Sequence, residues 1–152
     1  MKVAPTLEGG LRLDLESPID WMVLRAITYD ARGVSVHLAD RLGGLMDDDP
    51  QAEDWREYVV PDLHETFDSQ LAAVEQALGD AGDGEGAAEI FITPQTGGLW
   101  FGALNQARIA LEERYDFSAC EDRAMTPGMK SAYFRSQTYQ SLQSLLLRHV
   151  MR

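Results

Sequence analysis

Few residues in this chain are spaced to do chemistry. His64-Glu65-Thr66-Phe67-Asp68 sets His64 and Asp68 at i and i+4, where an imidazole and a carboxylate on one helical face can share a metal ion. The zinc-hydrolase pattern needs a second His where Asp68 stands, and no third ligand is evident, so polar residues of a surface helix account for the pair. His37 and His149 lie among apolar positions, where a histidine more often packs than catalyses. Cys120 sits beside Glu121 and Asp122, whose charges oppose thiolate formation. No Gly-x-Ser-x-Gly elbow raises a serine nucleophile. Asp80 to Glu85 has the outline of a calcium loop but carries Gly at two positions that need an acid. Gly82-Asp83-Gly84-Glu85-Gly86 has neither the Lys nor the following helix of a phosphate cradle. The expectation is therefore no catalytic residue, no metal and no cofactor.

Two groups suit binding instead. On a helix, Trp100, Leu104 and Leu111 share a face near Ala103 and Ala107, and Asn105 stands one turn before Arg108. The amide and the planar guanidinium fork could hold one carboxylate, of a partner or of this chain. Trp100, Asn105 and Arg108 are the candidate binding residues, with an internal ion pair or helix cap as the alternative. The second group is acidic: Asp47, Asp48, Asp49, Glu53, Asp54 and Glu57, with Arg56 as the only cation among them. A solvated loop and helix start explains it, and so does a docking surface for a basic partner, whose association would slow with salt.

These residues must be positioned by elements. Leu11, Leu13 and Leu15 alternate with Arg12, Asp14 and Glu16, a strand with one buried face. Gly9-Gly10 and the upstream Val3 to Leu7 make it half of a hairpin. Ser17-Pro18 opens a helix by cap and proline. Ile19, Met22, Val23, Ala26, Ile27, Val34, Leu38, Leu42 and Leu45 continue at helical spacing, predicting one long helix kinked near Gly33, although 33–38 also reads as a strand. Asp47-Asp48-Asp49-Pro50 breaks it, a short helix runs through Trp55, and Pro61 opens a helix with Leu63, Phe67, Leu71, Val74 and Leu78 on one stripe. Residues 79–88 form a flexible glycine-rich loop, Glu89 to Thr93 a third strand, and Thr93-Pro94 and Thr126-Pro127 open two further helices. The last carries Phe134, Tyr139 and Leu147 on more than one face, which predicts burial on several sides, in the core or in a homodimer. The fold class is α+β, mostly helical, with a small antiparallel sheet of about three strands and four or five helices.

Whole-chain arithmetic narrows the function classes. At 152 residues, 45% hydrophobic and 25% charged, residues 1–152 suit a single globular domain. Acids outnumber bases by 25 to 13, a net charge of −12, which argues against nucleic acid and against an anionic membrane surface. The excess is uneven: residues 1–100 hold 20 acids and 6 bases, residues 101–152 hold 5 and 7. One Cys excludes an internal disulfide. No signal-peptide core or membrane-length apolar run is present, so the expected location is cytoplasmic.

The motif Trp100, Leu104-Asn105, Arg108, Leu111 resembles the central helix of a bacterial family of small acidic proteins of unknown function, best populated in actinobacteria. The order of elements is similar too, from Leu11–Leu15 through Asp62-Leu63 to Leu78 and Glu89–Thr93, to Tyr139-Gln140-Ser141-Leu142. The family brings no activity, catalytic residue or cofactor. Its genes often neighbour that of the Clp protease adaptor, so the resemblance implies a part in regulated proteolysis. The leading expectation is a non-enzymatic protein-interaction or regulatory module, monomeric or dimeric through its last helix. The alternative is a small metal-binding protein or hydrolase using His64 and nearby acids.

Overall fold

A computed structural model describes residues 1–34, 36–120 and 125–151. Glu121 and Asp122, which carry the reading of Cys120, lie outside the described residues, as does the Cys120 side chain. The chain is a mostly helical α+β fold with five helices of seven residues or more and a three-stranded antiparallel sheet.

Strands β1 (Lys2–Pro5) and β2 (Leu11–Leu15) form the expected hairpin, with Val3 opposite Leu13. Gly9 turns it at a φ of +85°, which favours glycine. Strand β3 (Ala88–Ile92) joins the other edge of β2, with Ile90 opposite Leu13. The period-two pattern decides the faces: Leu11, Leu13, Leu15, Ile90 and Ile92 point into the core, while Arg12 and Asp14 pair with each other on the far side at 3.0 Å.

Helix α1 (Pro18–Arg32) starts where Ser17-Pro18 places it. The Ser17 hydroxyl accepts from the Asp20 backbone N–H, and the Asp20 carboxylate accepts from the N–H groups of Ser17 and Glu16. Its buried face differs from the expected stripe. Trp21, Val23, Leu24, Ile27 and Ala31 are buried, whereas Ile19 and Met22 are exposed. This face brings Trp21 under the glycine-rich loop, where its Nε1 donates to the Gly86 carbonyl at 2.8 Å.

The single long helix is corrected. Helix α1 ends at Arg32, Gly33 is its C-cap, and a separate helix α2 (Leu38–Gly44) begins after His37. The α2 helix folds back onto α4 (Val60–Ala81), where Gly43 meets Val60 so closely that an added Cβ would sit 2.7 Å from Cγ2. Between them lie the single turn α3 (Ala52–Asp54) and a π-helical turn, Trp55–Val59, that runs into α4. The α4 stripe buries Leu71, Val74 and Leu78 as expected. The helix continues through Gly79 and Asp80 to Ala81, so the glycine-rich loop is shorter than 79–88; Trp21 at Gly86 and Arg25 at the Asp83 carbonyl, 3.0 Å away, tie it down.

Helix α5 (Gly97–Tyr115) starts three residues later than Thr93-Pro94 predicts. Thr93 Oγ1 accepts from the Thr96 N–H, spending the cap on a turn ahead of the helix. Helix α6 (Pro127–His149) starts on its Thr126 cap as expected. Within the chain, the core alternative for this last helix does not hold. The helix packed on three sides is α5, against α1, α4 and α6. Helix α6 buries one stripe, Ala132, Tyr139, Leu142 and Leu146, and leaves Phe134 and Leu147 more than half exposed. Among the described residues, no helix is long and apolar enough to cross a membrane.

Candidate functional site

The break after α1 opens a cavity on the surface. Gly33 takes an ordinary φ of −76°, so positive-φ strain does not force the turn. Glycine's weak helix propensity permits it, and His37 completes it by capping α2: its Nδ1 accepts from the Ala39 backbone N–H at 3.1 Å. The bend leaves a cavity of 270 Å³ between α1, α2, α4 and α5, with Ala31, Leu71, Ile109 and Ala110 as its apolar floor and Val34 and Leu38 on its side. Two ion pairs frame it, Arg32 with Glu75 and Arg41 with Glu113. His37 and Asp68 supply polar groups to its wall.

At that wall the two histidines meet. The rings of His37 and His64 stack with centroids 4.0 Å apart, and His37 also lies against Phe67. His37 Nε2 is 3.1 Å from Asp68 Oδ1, and His64 Nε2 is 2.9 Å from Asp40 Oδ1. Hydrogen bonding sets the tautomers of the neutral rings. His37 Nδ1 is an acceptor, so Nε2 carries the proton and donates to Asp68. His64 donates from Nε2 to Asp40, which leaves its Nδ1 lone pair free of that bond. A ring nitrogen of each histidine and an oxygen of Asp68 all lie within 4.8 Å of one another. The i, i+4 pair on α4 thus gains the third group that the sequence did not reveal. Position 37 carried no sign of this, because its partner Asp68 is 31 residues away and only the α2 fold-back joins them.

The other candidates are dispersed. Trp100 is 1% exposed and belongs to the core with Ala103, Leu104, Ala107 and Leu111, out of a partner's reach. Arg108 donates from Nη1 to Gln143 Oε1 at 2.6 Å, linking α5 to α6, and Gln143 in turn donates to the Phe101 carbonyl. Asn105 is exposed on the same helix. The residue between them in register, Gln106, is the buried amide: its Nε2 donates to the Phe67 carbonyl at 3.0 Å and to Gln70 Oε1 at 2.8 Å. Sequence reading passed over Gln106, whose burial follows from the α4–α5 crossing.

Asp47, Asp48, Asp49, Glu53 and Asp54 are all exposed. Asp47 pairs with Arg56, and Asp49 Oδ1 accepts from the Gln51 N–H at 2.8 Å. The run lies between two exposed apolar side chains, Leu45 at 79% and Tyr58 at 64% exposure.

Compared with known proteins, the chain matches over residues 11–149 the family model described as Domain of unknown function (DUF2017), from β2 to the end of α6. No curated protein and no solved structure matches it.

Proposed function

The chain belongs to the DUF2017 family, and from that premise we propose that it is a non-enzymatic protein-interaction module whose acidic corner docks a basic, partly apolar segment of a partner protein. One observation carries this reading: along the chain, five exposed acids lie between exposed Leu45 and Tyr58. Carboxylates speed and orient the encounter with a cationic segment, and the leucine and tyrosine supply the apolar and aromatic area that holds it. The π-helical turn Trp55–Val59 belongs to the same corner, and such turns recur at functional sites because they re-aim side chains. Cytoplasmic location and regulated proteolysis are the setting proposed with this reading. A homodimer through α6 is proposed as the arrangement that would cover Phe134 and Leu147.

The test is capture of partners from source-cell lysate by the wild type and by Asp48→Lys/Asp49→Lys/Glu53→Lys/Asp54→Lys, at low and high salt. The expected result is a stoichiometric partner held by the wild type at low salt, released by high salt and not bound by the charge-reversed variant. A partner lost instead from Asn105→Ala/Arg108→Ala moves the interface to α5. No partner under any condition defeats the reading. A second reading, the metal-binding protein, is favoured by the meeting of His37, His64 and Asp68.

A further inference from the structure

We propose that His37, His64 and Asp68 bind a divalent first-row transition cation at the mouth of the cavity. This deepens the metal-binding reading and uses no residue of the acidic corner, so the two proposals fail separately. Two imidazoles and one carboxylate form a donor set that suits zinc, nickel, copper and iron rather than magnesium or calcium, which prefer oxygen alone. The donor atoms span 4.8 Å, whereas ligands around a zinc ion at its usual bond lengths of about 2.0–2.2 Å approach one another to roughly 3.3 Å. The side chains of His37, His64 and Asp68 are about a third to two-thirds exposed, so rotation about their own bonds can close that gap without repacking the core.

Two features go beyond mere proximity. Asp40 stands behind His64, accepting from the ring nitrogen opposite the free lone pair; this is the arrangement in which an outer carboxylate fixes the ring of a metal-ligating histidine. The cation would also border the cavity, because His37 and Asp68 line it, and three protein ligands leave coordination positions for water or a small ligand seated on the apolar floor.

The geometry assigns a cost to one ligand. His37 uses Nδ1 to cap α2, so its Nε2 carries the proton that faces Asp68. A metal held by Nε2 requires the proton to move to Nδ1, and the Ala39 N–H then loses its acceptor. Metal binding is thereby coupled to the first turn of α2, the element that shapes the cavity.

Zinc titrated calorimetrically into chelator-stripped protein tests this directly. The expected result is one equivalent bound by the wild type, with affinity at least tenfold weaker in His64→Ala and in Asp68→Asn. Asp40→Asn is expected to weaken it about tenfold, as loss of an outer-shell partner does. His149→Ala, distant on α6, should leave it unchanged. All four positions are partly or fully exposed, and circular dichroism of each variant confirms its fold. Nitrogen-15 imidazole spectra give a second readout: His37 should change from the Nε2–H to the Nδ1–H form on zinc addition, with the Ala39 amide shifting alongside. No saturable binding up to millimolar zinc overturns the proposal, as does binding that survives both His64→Ala and Asp68→Asn.

Discussion

At the scale of single residues, Asp30 is a buried carboxylate held by three side-chain hydrogen bonds. It is 5% exposed, and Arg135 reaches it from α6 with Nε at 2.8 Å and Nη2 at 3.0 Å, while the Tyr139 hydroxyl donates at 2.9 Å. Burial first, and then the Asp30 charge, push the Tyr139 phenol well above its usual range. A buried pair of this kind adds little net stability, but breaking it from one side strands a charge. Asp30→Ala leaves the largely buried Arg135 unpaired and should cost about 3–5 kcal/mol. Tyr139→Phe removes the hydroxyl that donates to Asp30 and lies 3.2 Å from the Val23 carbonyl, and should cost roughly 1–2 kcal/mol. Urea unfolding at neutral pH measures both. The sign of the pH effect follows from the raised folded-state pKa. The neutral phenol's contribution is complete below the ordinary tyrosine value of about 10 and is lost as pH rises above it toward the folded value. Wild-type stability should therefore fall more steeply than that of Tyr139→Phe on the alkaline side; parallel curves would show that the phenol does not report the pair.

At the scale of elements, what was legible in the sequence was what local chemistry decides. Ser17-Pro18 and Thr126-Pro127 open helices where they stand, because a hydroxyl cap and a proline act within one turn. The β2 alternation survives intact, since one strand cannot bury both Leu13 and Asp14. Apart from the start of α5, which the local Thr93–Thr96 turn delays, the main losses come from contacts distant in sequence. The break at Gly33 goes with α2 folding onto α4, the rotation of α1 with Trp21 under the loop, and the central role of α5 with three neighbours that no window of sequence contains. Half of the histidine cluster was legible on α4 for the same reason that His37 was not: i, i+4 spacing is local, and the α2–α4 crossing is not. The hairpin offers a test at this scale. Gly10 faces the end of β3, and a Cβ there would lie 2.3 Å from the Ile92 carbonyl oxygen, a backbone atom that cannot swing aside. Gly10→Ala must therefore part β2 from β3 at its first pair, Leu11 with Ile92, both nearly fully buried. The expected loss is about 2–4 kcal/mol, in the range of core side chains whose packing is disrupted, read as a lowered urea midpoint. Gly98→Ala, with open space around its Cβ position, is the matched control and should be neutral or stabilising.

For the whole molecule, charge sets the terms. The net −12 is concentrated in residues 1–100, where 20 acids face 6 bases, and the exposed ion pairs of Arg32, Arg56 and Lys2 engage only three of those acids. Salt acts on two opposed effects. It weakens the exposed pairs, each worth up to about 1 kcal/mol, and it relieves the self-repulsion of the excess carboxylates. The pairs are few and half-exposed, while the repulsion is summed over the acids they leave uncompensated, so relief of repulsion should win. At pH 7, added sodium chloride should raise the melting temperature, by about 2–4 °C for each kcal/mol of repulsion screened in a chain of this size. Near the sequence pI of about 4.5 the net charge vanishes, only the pair-weakening effect survives, and the same salt should leave the melting temperature unchanged or lower it. Asp48→Lys/Asp49→Lys/Glu53→Lys/Asp54→Lys, which shifts the net charge by eight toward zero, should be more stable than the wild type at low salt and less responsive to salt at pH 7. A wild type that melts lower as salt rises at pH 7 would mean that the ion pairs framing the cavity outweigh the repulsion. If the corner docks a basic segment as proposed, relief of that same repulsion on binding would add to the affinity.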